Sequence, residues 1–420
     1  MVFMLNWKKL ISLGEAISII RSNAPKITDI ECLNIRKAID RVLVYNIRAT
    51  HDIPPFDRAA MDGYAVRAED IWGANNENPR ILKLIGESDI GKPFSGSLGV
   101  GEAVYVHTGS MIPSGADAVV PVEYTRLEGS SVYVYRGVVK GANISKRGED
   151  VKKGQIVLKR GKILDPCDIA ILKAMGIREV RVYRRPKISV LACGSELVDN
   201  PDESGEGKII EYSREIVIGL ARKYGCDVID LGIVPDDMDE IHAKILEQKD
   251  LSDIIITVGG TSIGKHDLIP LLLKTRGELL FHGVSIQPGK PVCAGKIDGL
   301  FLVGAPGLPV ATYVVGITII KAAIEETLNI SGKFFIPTIR ARLTRKIWSK
   351  PGVRSFVRVK IYRKNNEYYA EPIMISGAGI LSSLVMSDGI VEIPEEIEGY
   401  DKDQVVEVQL IKYYIQDNTD

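Results

Sequence analysis

Polar side chains follow three apolar segments of the sequence, at the point where each segment ends. Glu196 follows KISVLAC, Asp236 follows DVIDLGIV, and TVGGTSIGKHD places Ser262 and Asp267 after a run of isoleucines. Glycines beside hydroxyl and carboxyl groups suit a phosphate or another oxyanion, because bare backbone N–H groups can surround it. Carboxylates at the same place suit a divalent cation. The alternative is an ordinary strand-to-helix turn, in which Asp267 is the first-turn acid of a helix.

Two turns rich in proline and glycine also suit an anion. Lys290 lies between glycine and proline in IQPGKPVCAGK, so a rigid turn presents its ammonium group. The segment GAPGLPVAT precedes a predicted helix, where backbone N–H groups attract negative charge. A solvated lysine and an ordinary tight connection are the alternatives. The glycines that begin GGTSIGKHD and the glycines and prolines of GAPGLPVAT are candidate substrate-binding positions: Gly259, Gly260, Gly304, Pro306, Gly307 and Pro309.

Three further polar segments are turn-rich, namely PPFDRAAMDGYAVR, HTGSMIPSGADAVVPVE and ISKRGEDVKKG. They hold Asp62, Thr108 and Asp150, and they have neither helical nor strand periodicity. Loops of this kind often carry binding residues on a rigid scaffold. Read singly, Asp150 is only a surface charge.

The sequence does not match the common nucleotide-binding motifs or the histidine spacing of zinc proteases. GGTSIGKHD does not match the P-loop pattern G-x-x-x-x-G-K-[ST], and no G-x-G-x-x-G follows a predicted strand. No two of the five histidines stand four residues apart, as a zinc protease helix requires. The sequence therefore disfavours a P-loop ATPase, a nicotinamide dehydrogenase and a zinc protease.

The elements that position these residues differ along the chain. From 186 to 330, strand-like runs alternate with amphipathic helical runs such as REIVIGLARKYG. This alternation predicts an α/β domain, a parallel-type sheet with helices on both faces. Ligands bind outside the carboxyl ends of such strands, so the three polar strand ends are expected to meet.

The rest of the chain is richer in strand patterns. Short β-branched runs between glycine and proline turns predict β-rich regions from about 47 to 185 and from 333 to 415. Three helices are predicted outside the α/β domain, at 12–22 with the capping box Ser12 and Glu15, near 30–44, and at 165–177.

Composition restricts the class of protein. The chain has 420 residues, enough for several domains, and its 54 basic residues balance 54 acidic ones. Neither nucleic acid nor an anionic membrane is therefore an expected partner. No apolar segment reaches the ~20 residues of a membrane-spanning helix. The five cysteines lie far apart, which fits a reducing, cytoplasmic location.

Taken together, the motifs resemble the MoeA/gephyrin family, the molybdopterin molybdenumtransferases. The resemblance rests on PPFDRAAMDGYAVR, HTGSMIPSGADAVV, SKRGEDVKKG, GGTSIGKHD, PGKP and GAPGLPV, in the family's order. It extends over essentially the whole chain, so it is far more specific than one glycine loop.

The resemblance implies an elongated homodimer of multidomain subunits. Residues 1–24 would form an N-terminal helix joining the α/β domain at 186–330, which would bind molybdopterin. A linker domain would combine 25–50 with 145–185. A β-rich domain would cover 51–144, and a C-terminal β-barrel would cover 333–420. Molybdopterin adenylyltransferase is a further implied partner.

The implied reaction inserts molybdate, or tungstate, into adenylylated molybdopterin with release of AMP and with Mg²⁺ as cofactor. Residue by residue, the resemblance assigns Glu196, Asp236 and Asp267 to the metal and phosphates. Lys290 joins them as a catalytic residue. The other positions matched as substrate-binding are Ser195, Ser262, Asp62, Thr108, Asp150, Arg354, Arg358 and Ser376. Of these, Asp62, Thr108 and Asp150 would reach the dimer cleft.

Several residues depart from the family pattern. Ser195 replaces the first acid of GDEL, and Gln287 and Gly283 stand where lysines are usual. Leu308 and Ala311 replace polar residues of GLPGNPVS. Fewer charges remain to hold an anion. The alternative function is therefore a weakened paralogue that acts as a molybdopterin-binding or scaffold protein.

Overall fold

The computed structural model of the chain describes residues 10–203, 205–262, 268–330, 332–373 and 377–412. Its helices are α1 (Leu13–Asn23), α2 (Pro166–Ala174), α3 (Ser213–Lys223), α4 (Met238–Leu246), α5 (Leu268–Arg276), α6 (Pro309–Val315), α7 (Lys321–Thr327) and α8 (Leu381–Met386). A π-helical segment, Gly316–Ile320, joins α6 to α7. No helix in the described part is long and apolar enough to cross a membrane.

The described strands range from two to eleven residues in length. The first twelve are β1 (Ile30–Asn34), β2 (Ile47–Arg48), β3 (Arg58–Ala59), β4 (Gly63–Val66), β5 (Arg80–Ser88), β6 (Glu102–Val106), β7 (Ala118–Pro121), β8 (Thr125–Glu128), β9 (Ser131–Val134), β10 (Ile144–Ser145), β11 (Ile156–Leu158) and β12 (Glu179–Tyr183). The others are β13 (Lys187–Cys193), β14 (Leu197–Val198), β15 (Ile209–Ile210), β16 (Asp227–Val234), β17 (Ile254–Val258), β18 (Glu278–His282), β19 (Ile286–Gln287), β20 (Cys293–Ile297), β21 (Leu300–Ala305), β22 (Thr338–Leu343), β23 (Ile347–Trp348), β24 (Arg354–Lys364), β25 (Glu367–Pro372), β26 (Gly389–Ile393), β27 (Gly399–Tyr400) and β28 (Val405–Leu410).

The chain divides into two compact units. The first contains the described residues up to Glu31, Asp40–Val42 and the described residues from Val182 onward. The second contains Cys32–Ile39 and Leu43–Arg181. The boundaries of these two units differ from the domain boundaries expected from the sequence, and those domain boundaries stay predictions.

The α/β sheet of the first unit has the strand order β16-β13-β17-β21-β20-β18. The first four strands are parallel, whereas β20 pairs antiparallel with both β21 and β18. The α/β prediction is confirmed, but the antiparallel edge was not expected. Its physical reason is the tight turn at Asp298 and Gly299, both with positive φ, which returns the chain directly alongside β20.

Helices cover both faces of this sheet. The chain moves from β13 through α3 to β16 on one side, then through α4 back past β13 to β17. Right-handed crossovers in opposite directions place α3 and α4 on opposite faces. On the α4 side, Ile241, Ile245 and Leu272 pack with Leu191 in one buried core.

The C-terminal part of the first unit is a closed β-barrel, as predicted. Its strands run β24-β25-β22-β28-β26, and β26 pairs again with β24. Alternate residues of these strands point inward. The core contains Leu343, Ile347, Val359, Val391 and Val408.

The second unit is β-rich, as predicted. Its largest sheet has the order β7-β4-β6-β5-β9-β8, with a core that includes Val66, Leu82 and Val132. The helix predicted near 30–44 is wrong. That stretch contains β1 and only a 3₁₀ turn at Ile35–Lys37, because the Asn34 side chain accepts a hydrogen bond from Arg36 N and caps one short turn.

Candidate functional site

A cavity of about 460 Å³ lies at the carboxyl ends of β13, β16 and β17. It is called the carboxylate cavity here, and its lining includes Glu196, Asp236, Gly259, Gly260 and Gly307. The three strand ends therefore meet as expected, with β17 contributing Gly259 and Gly260, while the roles of the predicted site residues stay predictions. Parallel strands bring their carboxyl ends to one edge, so residues separated by more than 100 positions share one wall.

Ser195 connects two of these strand ends. Its hydroxyl oxygen accepts a hydrogen bond from Asp236 N at 2.9 Å, and its backbone N donates to Asp236 Oδ2 at 3.4 Å. Ser195 thus replaces a carboxylate of the family pattern with a group that orients Asp236.

Gly259 lines the carboxylate cavity. Its φ is +95°, and a Cβ there would lie 2.5 Å from the carbonyl oxygen of Cys193. Gly304 instead serves packing, because a Cβ there would lie 2.6 Å from the Cys293 sulfur. Pro309 is buried at the first position of α6 and lines neither cavity described here.

The start of α3 also lines this cavity, although none of its residues is among the predicted site residues. Glu211 Oε1 accepts hydrogen bonds from the backbone N atoms of Ser213 and Arg214, at 2.8 and 2.9 Å. Ser213 Oγ donates to the carbonyl of Gly307 at 2.8 Å and fixes the opposite wall. Burial raises the pKa of Glu211 above its ordinary value. The acid just before an amphipathic helix was the available signal.

Cys193 lines the same cavity with a buried thiol. Burial raises the pKa of its thiol to about 12, with a smaller contribution from the charge of Asp236. A thiol with that pKa stays protonated at neutral pH.

A second cavity, of about 600 Å³, lies between the α/β sheet and the β-barrel of the first unit. It is called the basic cavity here, because Lys290, Lys346, Lys350 and Arg358 line it and its described lining includes no carboxylate. Pro306 also lines it. Leu308 lines both cavities and therefore stands between them.

The two predicted arginines have different surroundings. Arg358 is buried at the basic cavity, and burial lowers the pKa of its guanidinium. Arg354 is absent from the lining, since its guanidinium pairs with Glu392 at 2.8 Å and with Glu395 at 2.5 Å. The structure therefore brings Arg358 and Lys290 together, but not Arg354.

Two predicted residues, Asp267 and Ser376, lie outside the described residues. Ser262 is exposed after β17 and is not among the lining residues of the carboxylate cavity. Among the described residues, no three His, Cys, Asp or Glu side chains lie close enough together to hold a metal ion.

Asp62, Thr108 and Asp150 lie in the second unit. Asp62 Oδ1 accepts hydrogen bonds from Thr108 N at 2.7 Å and from Thr108 Oγ1 at 2.9 Å. These bonds lower the pKa of Asp62, which keeps an exposed carboxylate charged and oriented. Asp150 is exposed, and its backbone N donates to Ile53 O at 3.1 Å.

His107, beside this pair, is expected to titrate above its ordinary pKa. Its Nε2 lies 2.5 Å from Glu87 Oε1, and this bond to a carboxylate raises the pKa. The contact between His107 and Glu87 stabilises the fold fully below the unfolded histidine pKa of about 6.5, and this stabilisation is lost as pH rises through the higher pKa of the folded state.

NMR titration should show that Glu87→Gln lowers the pKa of His107. Glu69→Gln, whose carboxylate contacts Arg67 instead, should leave it unchanged. Equal titration curves for Glu87→Gln and the unsubstituted protein would contradict the assignment.

Comparisons with known proteins cover nearly the whole chain. Residues 11–176 match the MoeA N-terminal region (domain I and II), 189–326 a probable molybdopterin binding domain, and 340–411 the MoeA C-terminal region (domain IV). A putative molybdopterin biosynthesis protein of Methanocaldococcus jannaschii is 36% identical over 391 residues, covering 90% of this chain and 92% of that protein. The molybdopterin molybdenumtransferase of Haemophilus influenzae is 32% identical, covering 92% of this chain and 95% of that protein.

A solved structure agrees with the sequence comparisons. The molybdopterin biosynthesis MoeA protein of Pyrococcus horikoshii superposes with a TM-score of 0.84 at 38% identity, covering 96% of this chain and all of that chain. Both the order of the matched regions and the fold are thus shared, and the resemblance read from the motifs is confirmed. The chain belongs to the MoeA family.

Proposed function

We propose that the chain inserts molybdate or tungstate into adenylylated molybdopterin and releases AMP in a reaction that depends on Mg²⁺. Within the MoeA family, the chain is a transferase of molybdenum cofactor biosynthesis. The observation that carries the proposal is the pair of cavities separated by Leu308, one with carboxylates and one with basic side chains. A substrate with a phosphoanhydride and a metal oxyanion needs both kinds of surface.

The carboxylate cavity suits the phosphoanhydride end of such a substrate. Gly259, Gly260 and Gly307 let a phosphate approach the backbone closely, because they have no side chains. Ser195 holds Asp236 through the two hydrogen bonds described above. A preorganised site loses less entropy when the substrate binds.

The carboxylates also fit Mg²⁺. This ion usually binds proteins through one or two carboxylates together with substrate phosphates and water, and Glu196 and Asp236 supply two. The bound ion would neutralise charge on the phosphoanhydride oxygens. Asp267 completes the expected set, and its place there stays a prediction.

The basic cavity suits the oxyanion. Lys290 supplies an exposed ammonium group and Arg358 a buried guanidinium, and charge-assisted hydrogen bonds to an oxyanion are strong in a buried setting. Because molybdate and tungstate have the same charge and shape, these two residues would bind either oxyanion.

The proposal is tested by AMP release from adenylylated molybdopterin and Mg²⁺ without oxyanion, with molybdate and with tungstate. Release that rises with either oxyanion is expected, and the two concentration dependences identify the preferred metal. Tight pterin binding without release under all three conditions would overturn the transferase proposal.

Arg358→Gln should weaken the response to oxyanion. A charge-assisted hydrogen bond contributes about 1.5–3 kcal/mol, so the KM for molybdate should rise about 10- to 150-fold. The matched control is Arg340→Gln, an exposed arginine of the same barrel that lines neither cavity. An unchanged KM in Arg358→Gln, or an equal rise in the control, would remove Arg358 from the oxyanion site.

A non-catalytic binding or scaffold protein is the second candidate function. Gln287 and Leu308 favour it, because both line the basic cavity and neither carries a charge. This alternative expects pterin binding that no oxyanion converts into AMP release, whereas repeated turnover would exclude it.

The homodimer, the cytoplasmic location and the molybdopterin adenylyltransferase as a partner belong to the same proposal. The sequence resemblance supports the dimer, and the five unpaired cysteines support a reducing compartment. Asp62 of one subunit would complete the site of the other. Mixing Asp62→Ala with Asp236→Asn subunits should then restore part of the activity, and no recovery in proven mixed dimers would contradict shared sites.

A further inference from the structure

We propose that the basic cavity binds, on its Trp348 side, a planar aromatic ring that carries an anionic group. This surface is called the Trp348 wall and consists of Lys346, Ile347, Trp348 and Lys350. The inference rests on the proposed function, in which the ring is the pterin or the adenine of the substrate. The indole provides the stacking surface.

The strand pattern of β23 directs the indole away from the barrel core. Ile347 is 4% exposed and belongs to the core, whereas Trp348 is 69% exposed. Successive side chains of a strand point to opposite faces, so burying Ile347 places Trp348 outside. A large aromatic surface is therefore left in water at a cavity, where a ligand ring gains by covering it.

The backbone beneath the indole is firmly held. Trp348 pairs with Gly399 of β27, and a Cβ at Gly399 would lie 2.7 Å from the Trp348 Cα. The next residue, Ser349, is buried, and its Oγ donates to Val353 O at 2.7 Å. A rigid aromatic side chain loses little entropy when a ring stacks on it.

Charge and size indicate what kind of ring fits. Lys346 and Lys350 flank Trp348, and no acidic residue from the described part of the chain lines the cavity. Lys346 also contacts Asp401 at 2.8 Å, while Lys350 makes no ion pair within the described part of the chain. A volume of about 600 Å³ is that of cavities for ligands with ring systems, far more than one oxyanion fills.

The test is isothermal titration calorimetry of the full chain with pterin-6-carboxylate, neutral 6-hydroxymethylpterin and AMP, without oxyanion or Mg²⁺. Ring stacking on an aromatic side chain is worth about 1–3 kcal/mol, so Trp348→Leu should weaken anionic-ring binding about 5- to 150-fold. Trp348→Phe keeps a ring and should retain most of the affinity. Lys350→Gln should weaken pterin-6-carboxylate and leave the neutral pterin unchanged.

The matched control is Trp72→Leu, which removes an exposed indole from the second unit. Unchanged binding in this control is expected. If Trp348→Leu loses affinity for the pterins only, the pterin is the ring that stacks on Trp348. If it loses affinity for AMP only, the stacked ring is the adenine.

Two results would overturn the inference. Equal affinities of Trp348→Leu and the unsubstituted protein for every ring would remove the stacking role. A changed oligomeric mass of Trp348→Leu in light scattering would assign Trp348 to a subunit contact instead. If the unsubstituted protein releases AMP in response to oxyanion but Trp348→Leu binds every ring equally well, only the inference about the Trp348 wall is overturned. If ring binding depends on Trp348 but the unsubstituted protein releases no AMP, only the transferase proposal is overturned.

Discussion

Asp236→Asn is expected to lower oxyanion-dependent AMP release about 100-fold or more. The substitution keeps the size of the side chain but removes the charge that Ser195 orients toward the carboxylate cavity. Ion-assisted neutralisation of phosphate oxygens is worth several kcal/mol, and ~3 kcal/mol corresponds to about 100-fold in rate. The measurement is AMP release at saturating oxyanion as a function of Mg²⁺ concentration.

The adjacent residue supplies the control for this prediction. Asp237 caps α4, and its side chain accepts hydrogen bonds from Asp239 N and Glu240 N without lining the cavity. Asparagine is also a good N-cap residue, so Asp237→Asn should keep both activity and stability. If the two variants lost activity equally, the loss would reflect disturbance of the loop, and Asp236 would have no specific role.

Gly259→Ala is expected to lower the free energy of unfolding by about 2–4 kcal/mol and to abolish substrate binding. An alanine at φ +95° is strained, and its Cβ would lie 2.5 Å from the Cys193 carbonyl oxygen. Such a backbone conformation costs about 1–3 kcal/mol, and the overlap costs a similar amount. Urea denaturation followed by circular dichroism measures the stability, and calorimetry with AMP measures the binding.

Gly219→Ala is the matched control. Gly219 lies inside α3, and a Cβ there meets no atom within 4 Å among those described. Alanine is a better helix former than glycine by about 1 kcal/mol, so this variant should be as stable as the unsubstituted protein or more so. A Gly259→Ala variant of undiminished stability would mean that the loop after β17 relaxes to accommodate the methyl group.

Local signals sufficed wherever a short segment decides its own structure. The capping box of Ser12 and Glu15 predicts α1, and both of its hydrogen bonds are present. Apolar spacing without a capping box was a weaker signal, and near 30–44 it wrongly predicted a helix. Asn34 caps only a single turn there, and the preceding residues pair as a strand.

The positive charge of an arginine did not show by itself which of two arginines lines the basic cavity. Arg354 and Arg358 lie four positions apart on β24 and were predicted together for the oxyanion site. Glu392 and Glu395 pair with Arg354, whereas the fold buries Arg358 at the basic cavity, which Lys290 and Lys350 also line. Partners this distant in sequence leave no local trace.

By itself, the sequence determined the α/β unit, the β-rich character of its flanks and the strand ends that carry Glu196 and Asp236. These features depend on periodicity and turn residues, which act over a few neighbouring positions. Only the tertiary structure decided that the start of α3 also lines the cavity at these strand ends, that Leu308 separates this cavity from a basic one, and that Trp348 faces the basic cavity. The physical reason is that walls of this kind are assembled by strand order and barrel closure, which join residues far apart along the chain.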